Sequence, residues 1–201
     1  MAPLPNRAAG EPVPPFETIV AWNNRVTAGG MPDPWPADLL GEALPVIALT
    51  CVDPRLNPHF PNSLGLRGEQ FIWLRNAGNI ITSPTSSTMR SLALACAVKG
   101  GREIAVIGHT DCGVRKIGSG DLIERFRALG VPREQLPDDL VSFFGLFASE
   151  RHNVIRSTGF ARESPLIGAK IPVHGLLIDV QSGRLEWVIN GYDGNPPEVR
   201  A

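Results

Sequence analysis

The stretches VIALTCVDPR, residues 46–55, and EIAVIGHTDC, residues 103–112, decide how this chain folds. Each opens with a run of aliphatic and β-branched residues, which favours a strand buried on both faces. Each closes with side chains that carry chemistry. In a parallel α/β sheet, ligands gather at the carboxyl ends of the strands. If the two strands are neighbours, we expect these polar ends to meet at one edge of the sheet.

Further strands and helices alternate around these two stretches. The pattern predicts strands at 46–50, 70–74, 103–108, 173–180 and 184–189, and helices at 83–99 and 136–156. The last two strands are joined by a tight turn at 181–183, which predicts a hairpin. We therefore predict an α/β fold, with a mixed sheet of about four parallel strands plus an antiparallel edge strand, and helices on both faces.

The first 36 residues have a different character and form a proline-rich arm with one short helix. Phe16, Ile19, Val20 and Val26 recur at roughly helical spacing before the pattern stops at Gly29-Gly30. A single helix cannot bury such a stripe, so we expect it to dock on the body of its own subunit or on a partner. The predicted organisation is an N-terminal arm, 1–36, and a main domain, 37–201.

The composition excludes several classes of function. Nineteen basic and 20 acidic residues give a net charge of −1, which provides no basic excess for binding nucleic acid. No apolar run approaches the roughly 20 residues that a membrane span needs. The N-terminus has no apolar segment typical of a secretory signal. The three cysteines are widely spaced and do not suggest a disulfide framework, so we predict a cytoplasmic protein.

Cys51, His109 and Cys112 form a candidate metal site. One imidazole and two soft thiolates favour zinc, and three protein ligands leave the fourth tetrahedral position for water, as in catalytic sites. His109 and Cys112 are three residues apart, so one helical turn would place them on the same face. A purely structural zinc site would need a fourth protein ligand, which Asp53 could supply.

Asp53 and Arg55 complete the candidate site. In an extended segment alternate residues point the same way, which predicts that Cys51, Asp53 and Arg55 share one face. Pro54 favours an extended conformation at Asp53. The Asp53 carboxylate can orient a nucleophilic hydroxide or ligate the metal itself. Arg55 can hold that carboxylate away from the metal through paired hydrogen bonds.

The pattern Cys-x-Asp-x-Arg at 51–55, followed by His-x-x-Cys at 109–112, resembles the β-class carbonic anhydrases. The Arg-Asn-Ala-Gly-Asn segment at 75–79 is similar to one that these enzymes carry between the two motifs, and the likeness extends over about 45–192. One departure is Asp111, where many members have glycine. The Thr-Asp-Cys-Gly version, 110–113, resembles one branch of the family.

This resemblance implies a zinc lyase that hydrates carbon dioxide reversibly to bicarbonate. It implies Zn²⁺ on Cys51, His109 and Cys112, and a homodimer or homotetramer in which the N-terminal helix clasps the partner. Gly78 and Gly113 are predicted substrate-binding positions, since backbone amides near Gly113 can stabilise a developing oxyanion.

Two alternative functions remain open from the sequence. One is hydrolysis of carbonyl sulfide or carbon disulfide at the same zinc. The other is a non-catalytic zinc-binding or redox-sensing protein that uses the two thiols. We interpret Cys96 as a core residue, and His59, His152 and His174 as residues that do not ligate metal.

Overall fold

The computed structural model describes residues 14–31 and 33–193. The first 13 residues of the predicted proline-rich arm lie outside these residues. The strands are β1 Val46–Cys51, β2 Phe71–Asn76, β3 Ile104–His109, β4 Val173–Ile178 and β5 Leu185–Ile189. The helices are α1 Pro15–Thr27, α2 Pro36–Leu39, α3 Ser87–Lys99, α4 Ser119–Ala128, α5 Leu140–Phe144 and α6 Glu150–Arg162.

The five strands form one sheet in the order β2-β1-β3-β4-β5. The first four are parallel to one another, and β5 runs antiparallel to β4 at the edge. The turn between β4 and β5 is stabilised by Asp179, whose carboxylate accepts hydrogen bonds from the backbone of Gln181 and Ser182. The predicted mixed α/β sheet with an antiparallel edge is confirmed.

Strands β1 and β3 are direct neighbours in the middle of the sheet. Thr50 lies opposite Ile107, so the two strands end side by side. Every residue of both strands is buried, as their continuous apolar sequences predict for strands covered on both faces. The polar segments that follow them therefore emerge at the same edge of the sheet.

Side chains alternate along β1 between two hydrophobic cores, one on each face of the sheet. Val46 and Ala48 pack into the core that includes α1. Ile47 and Leu49 pack into the other core, which α3 and α6 cover. Helix α3 ends at Gly100, whose φ of 71° lies in the left-handed region that suits glycine, and this stop was predicted.

Helix α1 packs on the body of its own subunit. Phe16 and Ile19 are fully buried in the first core. Asn23 joins the helix to distant loops, because its Nδ2 donates to the carbonyl oxygens of Ser63 and Gly183, and its Oδ1 accepts from the backbone of Leu185. The sequence left open whether the apolar stripe of the arm docks on its own subunit or on a partner. In this structure the stripe packs on the body of its own chain.

The predicted helix at 136–156 is wrong as a single element. Helix α5 stops at Gly145, whose φ is 67°, and α6 begins after Ser149, whose side chain accepts a hydrogen bond from the backbone of His152. A left-handed glycine followed by a serine N-cap ends one helix and starts another. Helix α4 was not predicted. Within the described residues, no helix has the length and apolar character to cross a membrane.

Candidate metal centre

The three proposed ligands converge where β1 and β3 end. Cys51 is the last residue of β1 and His109 the last residue of β3. The chain then reverses in a tight turn, in which Asp111 has a φ of 59°, and this turn returns Cys112 to the cluster. The predicted helical turn over 109–112 is therefore wrong. The ligand atoms of the three residues nonetheless lie within 4.8 Å of one another.

The state of the His109 ring fits a metal ligand. His109 is fully buried, and its Nδ1 lies 2.9 Å from the carbonyl oxygen of Thr110. A carbonyl only accepts hydrogen bonds, so Nδ1 carries the proton and Nε2 presents a lone pair. Within the described part of the chain, this buried Nε2 has no hydrogen-bond partner. The unpartnered His109 nitrogen and the two thiol sulfurs together make a donor set that zinc prefers.

The environment of Cys51 favours its thiolate. The pKa of this thiol is lowered, mainly by the hydrogen bond from Cys112 and further by hydrogen bonds from the backbone of Asp53 and Gly78. The N–H of Gly78 lies 3.2 Å from Cys51 Sγ. The pKa of Cys112 moves upward, because the neighbouring Cys51 sulfur and burial both disfavour a second negative charge. A cation at this place would favour both thiolates.

Asp53 and Arg55 form a paired contact beside the cluster. Arg55 Nε donates to Asp53 Oδ1 at 3.0 Å, and Nη2 donates to Oδ2 at 2.7 Å. These bonds lower the pKa of Asp53 to about 2. Asp53 Oδ2 lies 3.9 Å from His109 Nε2, so the carboxylate faces the proposed ligands.

The local backbone differs from the predicted extended segment. Residues Pro54–Leu56 form a short 3₁₀ turn, and Asp53 caps it by accepting a hydrogen bond from the backbone of Arg55. Asp53 itself is not helical, and its ψ of 121° agrees with its position before Pro54. Arg55 therefore reaches Asp53 through a capped turn rather than by strand alternation.

Arg75 supports this segment and was not singled out from the sequence. It lies on β2 and donates to the carbonyl oxygens of Cys51 at 3.0 Å and Asp53 at 2.7 Å. Its guanidinium also stacks over the ring of Trp73, 4.3 Å from the centroid. The available signal was its place in the turn-rich 75–79 segment that follows a predicted strand.

Two residues of α6 complete the support. Asn153 Nδ2 donates to the carbonyl oxygen of Gly78 at 2.8 Å. Glu150 Oε1 accepts from the backbone N–H of Cys112 at 3.2 Å and from Arg115 Nε at 2.7 Å. Both residues lie in the segment predicted as part of one long helix, and the register of a helix with wrong bounds could not point them at the site.

The two predicted substrate-binding glycines lie in different surroundings. Gly78 has a φ of 73°, and a Cβ at this position would lie 2.9 Å from Phe147, so glycine is required by both backbone and space. Its N–H contacts Cys51. Gly113 lines the adjacent cavity, with no atom near the place of a Cβ. Substrate contact by either glycine stays a prediction.

A cavity of about 460 Å³ opens beside the cluster. Cys51, Cys112 and Asp53 form part of its wall, and apolar side chains from α4 and α5 form much of the rest. Among these, Phe126 and Phe144 stack with their ring centroids 5.6 Å apart. A second cavity, of about 380 Å³, is lined by 167–173 and Tyr192 and contains none of the proposed ligands.

The remaining cysteine and histidines lie outside the cluster. Cys96 is half-buried in α3, and burial raises the pKa of its thiol. His59 Nε2 lies 3.0 Å from the carbonyl oxygen of Val180. His152 is exposed on α6. His174 is fully buried and packs against Phe16.

Comparisons with known proteins agree on one family. A family model described as carbonic anhydrase matches residues 46–125. YtiB of Bacillus subtilis (strain 168), which carries a provisional carbonic anhydrase name, is 35% identical over 151 residues, covering 72% of this chain and 81% of that protein. Carbon disulfide hydrolase of Acidianus sp. (strain A1-3) is 28% identical over 155 residues, covering 68% of this chain and 74% of the hydrolase.

A solved structure is similar to this chain in both fold and sequence. The crystal structure of β-carbonic anhydrase isoform I from Trichomonas vaginalis matches with a TM-score of 0.68 and 31% identity, covering 73% of this chain and 83% of that one.

Proposed function

This chain belongs to the β-carbonic anhydrase family, and from that premise we propose that it is a zinc lyase catalysing the reversible hydration of carbon dioxide to bicarbonate. The observation that carries the proposal is the cluster of Cys51, His109 and Cys112, which faces the Asp53 carboxylate and opens onto an apolar cavity. The three residues would hold Zn²⁺. When bound, zinc supplies the Lewis acidity that activates water as a nucleophile near neutral pH.

Asp53 orients the nucleophile. Its pKa of about 2 keeps it ionised at physiological pH, and an ionised carboxylate only accepts hydrogen bonds. A water or hydroxide beside Asp53 must therefore donate its O–H to the carboxylate. The free lone pair of that oxygen then points away from Asp53. Because Arg55 occupies both carboxylate oxygens from one side, the carboxylate keeps its direction during attack on carbon dioxide.

The cavity suits a small apolar substrate. Carbon dioxide has no net dipole, and the walls contributed by Leu122, Phe126 and Phe144 offer it dispersion contacts without competing hydrogen bonds. Bicarbonate is charged and gains little from the same walls, which favours its release. Backbone amides near Gly113 would stabilise the oxygen that becomes negative during attack.

A stopped-flow assay of carbon dioxide hydration on zinc-loaded protein tests the proposal. We expect turnover by the wild type, and we expect Asp53→Ala to keep its zinc while losing most of its activity. Cys96→Ala, which alters a cysteine outside the cluster, is the control and should be fully active. Absence of turnover in zinc-loaded wild type would refute carbon dioxide as the substrate.

Hydrolysis of carbon disulfide or carbonyl sulfide is a second candidate. The specific observation in its favour is the 28% identity to a carbon disulfide hydrolase, together with a cavity that accepts any small linear apolar molecule. The same preparation should be assayed with all three substrates side by side. Release of hydrogen sulfide with no hydration of carbon dioxide would reassign the substrate, and no turnover of any of them would favour a non-catalytic zinc or redox role.

We also propose a homodimer or homotetramer in the cytoplasm. Assembly is supported by apolar side chains left exposed on α3, among them Leu94 and Val98. Sedimentation of the zinc-loaded protein measures its mass, and a monomer at all concentrations would contradict this part of the proposal.

A further inference from the structure

Asp111 binds the Nη1–Nη2 edge of the Arg55 guanidinium. Arg55 Nη1 donates to Asp111 Oδ2 at 2.9 Å, and Nη2 donates to the Asp111 carbonyl oxygen at 3.0 Å. The adjacent Nε–Nη2 edge of the same guanidinium binds Asp53. The group is therefore fixed from two sides, by one aspartate from each of the segments that carry the proposed ligands.

Asp111 is itself held in a specific conformation. Its φ of 59° lies in the left-handed region, which costs free energy for a residue other than glycine. In this conformation both its carbonyl oxygen and its carboxylate accept hydrogen bonds from Arg55. Lys116 pairs with Oδ1, which leaves Oδ2 for the guanidinium. The surrounding contacts thus maintain a strained turn whose polar groups converge on Arg55.

Arg55 needs such support because much of it is in water. Its side chain is 43% exposed, and a single exposed ion pair competes poorly with solvent and with the freedom of a long side chain. The guanidinium donors lie in one plane, so binding acceptors along two adjacent edges, Nε–Nη2 and Nη1–Nη2, selects one orientation of that plane. The contact with Asp111 therefore restricts Arg55 to the orientation that pairs with both oxygens of Asp53.

We propose that Asp111 is a positioning residue that acts on the nucleophile through Arg55 and Asp53. The inference rests on the proposed function, because the direction of Asp53 matters only if Asp53 orients the attacking water. Asp111 binds the Nη1–Nη2 edge of Arg55, whereas Asp53, whose carboxylate faces the ligand cluster, binds the Nε–Nη2 edge. Its effect on the reaction should therefore disappear when Arg55 is absent.

A double-mutant cycle tests this dependence. Asp111→Gly removes the carboxylate and suits the positive φ, and Asp111→Asn retains one oxygen in a residue that tolerates this region. On zinc-loaded protein we expect Asp111→Gly to lower kcat for carbon dioxide hydration by roughly tenfold, with a smaller loss for Asp111→Asn. In an Arg55→Ala background, Asp111→Gly should change kcat by less than about twofold.

Glu124→Gln is the matched control, since it removes another exposed carboxylate–arginine pair, with Arg127, and should leave kcat unchanged. Independent effects of Asp111→Gly and Arg55→Ala, or an unchanged kcat in Asp111→Gly, would overturn the inference.

A crystal structure of Asp111→Gly gives a second reading that does not depend on activity. We expect Arg55 to lose its paired contact with Asp53, and an unchanged pair would overturn the inference. Inactive wild type, or full activity in Arg55→Ala, would instead refute the roles given to zinc, Asp53 and Arg55 under the proposed function. The crystal structure would still decide whether Asp111 positions Arg55.

Discussion

Asn153 and Cys51 are linked through the backbone of Gly78. The Asn153 side chain donates to the Gly78 carbonyl oxygen at 2.8 Å, and the Gly78 N–H lies 3.2 Å from Cys51 Sγ. Asn153 is fully buried, so this link is protected from solvent. A helix on one face of the sheet thereby fixes the direction of a hydrogen bond to a proposed metal ligand.

Replacing Asn153 should weaken both stability and metal binding. Asn153→Leu leaves the Gly78 carbonyl without its donor, which we expect to cost about 1–3 kcal/mol in the free energy of unfolding. Loss of support behind a ligand should weaken zinc affinity by roughly tenfold. Urea unfolding and competition with a chelator measure the two effects. Asn24→Leu, at an asparagine that contacts the exposed Arg184 side chain, is the control.

Removing one thiol should release the metal. We expect one zinc per subunit in the wild type and little in Cys51→Ala, because two remaining protein ligands bind zinc weakly. Elemental analysis of purified protein measures the content. Cys96→Ala should retain full zinc, since Cys96 lies outside the cluster. Full zinc in Cys51→Ala would place the site elsewhere.

The pairing of Asp53 with Arg55 should make stability depend on pH in a defined window. The pKa of Asp53 falls from its usual 3.8 to about 2 in the folded protein, so the unfolded chain binds the proton more readily. The stabilisation is fully present above roughly pH 5 and is lost as the pH falls toward 2. Unfolding of zinc-free wild type and Asp53→Asn should therefore show a difference at pH 6 that shrinks at about pH 3. A constant difference would contradict the pairing.

Tyr192 should matter for stability at the amino ends of the parallel strands, the end of the sheet away from the metal centre. Its hydroxyl donates to Glu103 Oε2 at 2.5 Å and accepts from the backbone N–H of Phe16 at 3.2 Å. Glu103 is 6% exposed, so Tyr192→Phe leaves a buried carboxylate with one donor fewer. We expect a loss of about 1–3 kcal/mol in urea unfolding with unchanged zinc content. A loss of zinc would show that the contacts of Tyr192 at the amino ends of the strands affect the metal centre at their carboxyl ends.

The central part of the site was predictable because strand periodicity and ligand chemistry coincide there. Runs of buried aliphatic residues predicted β1 and β3, and their polar ends identified Cys51, Asp53 and His109. The turn at Asp111 was not predictable, because a positive φ at a residue other than glycine depends on contacts with distant groups such as Arg55.

Elements with weak periodicity were harder to predict. Helix α4 has few apolar residues, and its half-buried apolar positions are Leu122, Ile123 and Phe126. The break at Gly145 was missed because apolar residues continue on both sides of it. The roles of Glu150 and Asn153 depend on the register of α6, which follows from that break.

The order of the supporting contacts along the chain has a consequence for biosynthesis. All three proposed ligands precede residue 113, whereas Glu150 and Asn153, which hold Cys112 and Gly78 in place, come later. A nascent chain emerging from the ribosome therefore carries the complete donor set before the helix that orients it exists. The final geometry of the centre is consequently reached only when translation has passed α6 and that helix has folded onto the sheet.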